Sequence, residues 1–172
     1  TWFYSGAFTD SGTHDLTEIK PTTTPPVTPP VTGSFGIDIA TSQAGIDLAK
    51  AKAEGVQFVI VKASGFNVTP QYVAPQCHAQ VDAVRAQGLA LGHYYLVGAG
   101  QTPVQQADYF VDNLYKFDVN ADVLALDNER LDDNAEFWTD GDAAAFFAQV
   151  IKRTGIPASR LWLYGSASDF RN

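Results

Sequence analysis

Asp127 and Glu129, one residue apart, are the two side chains in this sequence most suggestive of chemistry. They follow Val123-Leu124-Ala125-Leu126, a run apolar enough to be a short strand buried on both faces. Residues i and i+2 of a strand point to the same side, about 6.5 Å apart at roughly 3.3 Å per residue. Both carboxylates would then face one pocket, at a separation that suits a pair of glycosidase carboxylates. The plainer alternative is a strand that ends in a solvated acidic turn, since Arg130, Asp132 and Asp133 come next. Which of the two holds depends on the elements that bring other groups to the same place.

Those elements alternate. Residues Phe35 to Ala40 read as a short strand, Ile46 to Glu54 as a helix closed by Gly55, and Gln57 to Ala63 as a second buried strand. An Ala-rich helix is expected from Tyr72 to Gln87, ended by Gly88, and a third strand from Leu89 to Leu96. Thr102 and Pro103 open a third helix reaching Tyr115, with the threonine as N-cap and the proline at its first position. The carboxylate strand comes fourth, and a helix from about Gly141 to Thr154, stopped by Gly155, leads to a fifth strand at Leu161 to Tyr164. Strands and helices alternating at about 30 residues mean βαβ units and a parallel sheet. A barrel and a doubly wound open sheet both fit. Asp38-Ile39-Ala40-Thr41-Ser42 is not the Gly-rich phosphate loop that a nucleotide-binding sheet would place after its first strand, which disfavours that option.

In a (β/α) barrel the catalytic groups project from the carboxyl ends of several strands. Here those ends carry Asp38, Lys62, Tyr94 and the pair Asp127/Glu129. Carboxylates converging on one mouth resist joint ionisation, so at least one should keep its proton to higher pH, as a general acid must. Glu129 reaches farther into such a mouth by one methylene.

Composition narrows the partners. The balance of 11 basic to 19 acidic residues, net −8, with no Lys/Arg cluster, argues against nucleic acid or an anionic membrane surface. No apolar run approaches the roughly 20 residues of a membrane span, so no membrane insertion is expected. The single cysteine, Cys77, rules out an internal disulfide and a cysteine metal site, and His14, His78 and His93 are too scattered to form a metal cluster by spacing. No cofactor is expected. Residues 1–20 carry Trp2, Phe3, Tyr4 and Phe8 without a period and read as an arm or the end of a preceding domain. Residues 21–33, rich in proline and threonine, read as an extended linker. The globular part is 34–172. With Thr1 first, no methionine and no signal peptide, the chain reads as a processed piece of something longer.

From about Gly36 to Phe170 the sequence resembles the glycoside hydrolase family 25 lysozymes, the N-acetylmuramidases. Gly36-Ile37-Asp38-Ile39 with Gln43 and Ile46-Asp47 is similar to the family's opening motif, and Phe58-Val59-Ile60-Val61-Lys62-Ala63-Ser64 to its second strand. Gly88-Leu89-Ala90-Leu91-Gly92-His93-Tyr94-Tyr95 resembles the third strand, Gln106-Ala107-Asp108-Tyr109-Phe110 the helix after it, Leu126-Asp127-Asn128-Glu129 the Asp-x-Glu motif, and Tyr164 the fifth strand end. The resemblance implies an α/β fold, a (β/α) TIM-like barrel, that hydrolyses the β-1,4 bond between N-acetylmuramic acid and N-acetylglucosamine in peptidoglycan. It also implies roles: Glu129 as proton donor, Asp127 stabilising the oxocarbenium-like centre or orienting the acetamido group, and Asp38 adding negative charge. Tyr94, Lys62, Tyr164 and Gln43 would line the sugar cleft. The departures are Ser42 and Leu48 where the family has aromatic residues, Ala40 where serine is common, and Gly65-Phe66 where Glu-Gly is common; they thin the cleft wall. Residues 34–172 are also fewer than the about 200 typical of such barrels, so the barrel is expected to stop short of its last strands. The expected context is a modular phage or bacterial cell-wall lysin, extracellular or virion-associated, acting on glycan strands alongside other domains or chains. The rival expectations are a non-catalytic glycan-binding or structural barrel of a phage particle and, more remotely, a barrel enzyme of another chemistry.

Overall fold

The computed structural model describes residues 34–66, 70–129 and 138–165. The expected N-terminal arm (1–20) and linker (21–33), and the acidic residues Asp132 and Asp133 beyond the carboxylate pair, lie outside the described residues.

Five strands form one parallel sheet: β1 (Gly36–Ile39), β2 (Phe58–Gly65), β4 (Ala90–Leu96), β5 (Val123–Asp127) and β6 (Leu161–Tyr164). A two-residue strand, β3 (Tyr72–Val73), pairs antiparallel with the end of β2. The helices are α1 (Leu48–Ala53), α2 (Cys77–Ala86), α3 (Pro103–Asp112) and α4 (Asp140–Thr154). The parallel strands lie in the sheet in their order along the chain. Because parallel crossovers are right-handed, steps that all run the same way place every connecting helix on one face. The result is a curled, singly wound half-barrel rather than a doubly wound sheet. Among the described residues β1 and β6 are its two edges.

The period-two alternation of the strands divides the core. Val59, Val61 and Ala63 of β2, Leu91 and Tyr95 of β4, and Leu124 and Leu126 of β5 pack with Val81 and Val84 of α2, Phe110 of α3, and Phe146 and Val150 of α4. On the other face Ile60, Tyr94, Leu96 and Ala125 form a second, smaller cluster flanked by Phe58 and Trp162. That inner face carries the chemistry.

Local signals set most of the boundaries. Thr102 and Gln105 close a reciprocal cap on α3 with Pro103 in its first turn, and Thr139 and Asp142 do the same for α4. Gly155 ends α4 in the left-handed conformation, φ 73°. The α2 region departs from expectation. Tyr72 and Val73 are strand, and the helix begins only at Cys77. Pro75 is the physical reason: it biases the preceding residue away from helical geometry, and the β-prone Tyr-Val pair finds an open edge on Ser64 and Gly65. The third helix likewise stops at Asp112, short of Tyr115.

At the amino-terminal end of the sheet, Asp122 is fully buried under β4 and β5 and bonded by Arg85 at 2.6 Å and by the Asp118 amide at 2.9 Å, with the His93 ring 3.7 Å away. Burial pushes its carboxyl up, but the bonds it accepts outweigh this and hold it below the usual aspartate range. On the helical layer, Arg153 of α4 bridges Asp108 and Asp112 of α3.

Candidate active site

Strand register places the candidate side chains at two levels of the inner face. Lys62 lies level with Tyr94, Tyr94 with Ala125, and Ala125 with Trp162. Just beyond, Leu96 pairs with Asp127 and Asp127 with Tyr164. Asp38, on the same face of β1, is paired with Ile60. All are at or near the carboxyl ends of their strands, where a (β/α) fold assembles its chemistry.

Lys62 is 3 % exposed. Its ammonium donates to the Phe66 carbonyl at 3.2 Å and lies 5.3 Å from the Tyr72 ring and 5.9 Å from the Tyr94 ring. Burial lowers its pKa while the charge on Asp127 pulls the other way. Asp127 is pushed up to about 8, first by burial, then by Glu129 and Asp38, against the opposing pull of Lys62. Its Oδ1 is shut off from solvent and has no hydrogen-bond partner among the described residues, none of which replaces the water that an ionised oxygen would need. Tyr94 is raised strongly by burial and by the same acidic neighbours, Asp127 and Asp38. Tyr164 rises to about 12 through burial, the charges of Glu129, Asp127 and Asp38, and a hydrogen bond from its hydroxyl to Glu129. These mutual influences bring Asp38, Lys62, Tyr94, Asp127, Glu129 and Tyr164 into one neighbourhood.

Two features differ from the sequence expectation. The strand ends at Asp127, so Glu129 is not the next inward residue of a straight strand but stands on the turn after it. It faces the pocket because the chain is pinned there: the Asn128 amide donates to the Tyr164 carbonyl at 2.8 Å, and the Val97 amide to the Asp127 carbonyl at 3.0 Å. Burial, which the sequence could not show, pushes the Asp127 carboxyl up, so that Asp127 and Glu129 hold a proton between them to higher pH. Gln43 is exposed on the 3-10 turn after β1, where its side-chain oxygen accepts from the Ala40 amide at 2.9 Å and from the Ser42 hydroxyl at 3.0 Å. It caps that turn instead of joining the buried cluster.

Three residues escaped the sequence reading. Tyr72 was hidden by its assignment to a helix. Trp162 packs edge-to-face on Phe58, ring centroids 5.5 Å apart, as the floor beneath the carboxylates; its alternation with Leu161 and Leu163 was the available signal. Asn128 is buried between the two acids, and nothing local marks it. Among the described residues no group of three His, Cys, Asp or Glu side chains is placed to hold a metal ion, and no helix is long and apolar enough to cross a membrane.

A buried carboxyl that keeps its proton near neutrality, a second carboxylate beside it and an inner face with tyrosine and tryptophan rings can together protonate and bind a sugar-linked oxygen. Comparison with known proteins points the same way. The bacterial lysozyme of Streptomyces coelicolor superposes with a TM-score of 0.65 at 23% identity, covering 81% of this chain and 66% of that one. A family 25 lysozyme of Aspergillus fumigatus gives 0.62 at 22% identity, covering 80% and 67%. The catalytic domain of an endolysin from a bacteriophage of Listeria monocytogenes gives 0.62 at 21%, covering 78% and 65%. The chain thus spans about two thirds of the length of these three structures, and less of others that it matches, down to 41%. No curated protein matches its sequence. The model of the glycosyl hydrolases family 25 matches residues 37–168, most of the chain and all of its parallel strands but the first residue of β1, and the chain belongs to that family.

Proposed function

We propose that this chain is a lysozyme-type glycoside hydrolase of peptidoglycan, cleaving the β-1,4 bond between N-acetylmuramic acid and N-acetylglucosamine. Family membership supports the reaction class. The observation that carries the reading is the coupled pair at the mouth: Asp127, raised to about 8, beside Glu129, which Tyr164 holds by a hydrogen bond. Two carboxyls this strongly coupled titrate as a unit and keep one proton into the neutral range. Glu129, on the turn and free of the strand's constraint, delivers that proton to the leaving oxygen as the glycosidic bond breaks. Asp127 and Asp38 supply negative charge opposite the oxocarbenium-like centre. Water then adds its hydroxyl to the sugar carbon and returns its proton to the carboxyl pair. Tyr94, Lys62 and Tyr164 line the substrate side.

The sequential order of the parallel strands fits a TIM-like barrel of which these strands form part. The natural setting we infer is a modular cell-wall lytic protein, phage or bacterial, acting outside the cell or on the virion. The Pro/Thr-rich stretch at 21–33 and the likeness to an endolysin catalytic domain support this. Clearing of a peptidoglycan suspension tests the activity. Glu129→Gln preserves shape and removes the transferable proton, so clearing should fall by about 10²–10⁴ while co-sedimentation with walls persists. A parent chain that sediments with walls and clears none would replace the hydrolase with a glycan-binding module.

A further inference from the structure

We propose that Asn128 is a positioning residue for Glu129: its buried amide locks the turn that aims the acid into the mouth. The inference rests on the catalytic reading above. Asn128 is 4 % exposed, between the two carboxylates. Its side chain is bonded on both sides to one distant residue: Nδ2 donates to the Trp138 carbonyl at 3.0 Å and Oδ1 accepts from the Trp138 amide at 3.1 Å. A primary amide used in this way mimics a strand partner, offering one donor and one acceptor at the right spacing. Trp138 is itself immobilised. It is 4 % exposed, its ring stands 5.8 Å from that of Phe146, and it directly precedes the Thr139 cap of α4. The main chain of Asn128 is held as well, through the bond from its amide to the Tyr164 carbonyl. Residue 128 is therefore fixed to β6 by its backbone and to the start of α4 by its side chain. Glu129, one peptide further, bonds the hydroxyl of that same Tyr164.

Strand geometry alone would not hold Glu129 there, because β5 ends at Asp127. With the clamp removed, the turn loses the side-chain bonds that tie it to the start of α4, and Glu129 should drift from both Tyr164 and Asp127. A displacement of about 1 Å at a reacting group is worth up to about 10²-fold in rate.

The test uses the full chain and two variants, Asn128→Ala and Asn128→Asp, with a fold check by circular dichroism. Two quantities are read: kcat and KM on soluble peptidoglycan fragments, and the titration midpoint of the Asp127 carboxyl by carbon NMR. The groups facing that carboxyl are Glu129, Lys62, Asp38, Tyr94 and Tyr164, and only Glu129 should move. For Asn128→Ala, kcat should drop by about 10²-fold with KM unchanged, and the Asp127 midpoint should fall as Glu129 moves away. Asn128→Asp discriminates further. A protonated carboxyl offers one donor and one acceptor, as the amide does, whereas the carboxylate cannot donate to the Trp138 carbonyl. Its kcat relative to the parent should therefore recover as pH falls, which a simple loss of packing would not produce. A folded Asn128→Ala with the parent's kcat and the parent's Asp127 midpoint overturns the inference. So does an Asn128→Asp variant whose kcat, relative to the parent, is independent of pH. If the parent cleaves nothing, the catalytic reading falls alone, and the shift of the Asp127 midpoint still decides whether Asn128 positions Glu129.

Discussion

Replacing Asp127 by asparagine removes a charge that the fold holds at a cost, so the variant should be more stable than the parent in alkaline solution. Asp127 titrates near 3.8 when unfolded and at about 8 in the folded protein. The folded state therefore binds its proton more tightly. The stability associated with that proton is fully present below pH 3.8 and is lost as pH rises through about 8. Each pH unit between the two midpoints is worth about 1.4 kcal/mol, so the full span amounts to about 6 kcal/mol. Two effects reduce it. Water and side chains relax around the ionised group, and in the variant the buried Lys62 loses the partner whose charge offsets its own desolvation. A net gain of about 3 kcal/mol at pH 9 remains if half of the span survives. Urea unfolding of parent and variant at pH 4, 6, 8 and 9 measures the difference, and titrations common to both proteins cancel. The gap should be near zero at pH 4, open progressively between about pH 4 and pH 8, and level off above that. A gap that is constant across the whole range would refute the reasoning, because it would show that Asp127 is not buried unfavourably in the folded state. The same variant should lose wall-clearing rate, making Asp127 a site where stability is given up for chemistry.

Two further outcomes test the surroundings of the site. Lys62→Met removes the charge that, among the described residues, opposes the rise of Asp127, so the Asp127 carboxyl, followed by carbon NMR, should titrate at still higher pH; an unchanged or lower midpoint would contradict the placement of the ammonium. Arg85→Met leaves the fully buried Asp122 without its guanidinium partner and should cost about 3 kcal/mol in urea unfolding at pH 7. That cost should shrink towards acid pH: the Asp122 carboxyl is held below its unfolded value, so the stability it contributes is present above that value and is lost as the folded group protonates.

What the sequence determined by itself is what local chemistry controls. Apolar runs marked the five parallel strands, and Thr102-Pro103 and Gly155 marked helix ends to within a residue or two. Alternation along β2, β4 and β5 was enough to put Lys62, Tyr94 and Asp127 on one side of their strands. The tertiary structure decided everything that depends on neighbours distant in sequence. The sequential strand order, which separates a half-barrel from a doubly wound sheet, is a matter of pairing across the whole chain. The short strand at Tyr72–Val73 exists because the end of β2 offers it an edge. The Asp127 carboxyl is raised chiefly by burial, and that burial depends on β4 and β6, which flank β5 in the folded sheet. The clamp from Asn128 to Trp138 joins two residues that no periodicity connects. A pKa or an aimed side chain is a sum over surrounding atoms, and those atoms are assembled only when the chain is folded.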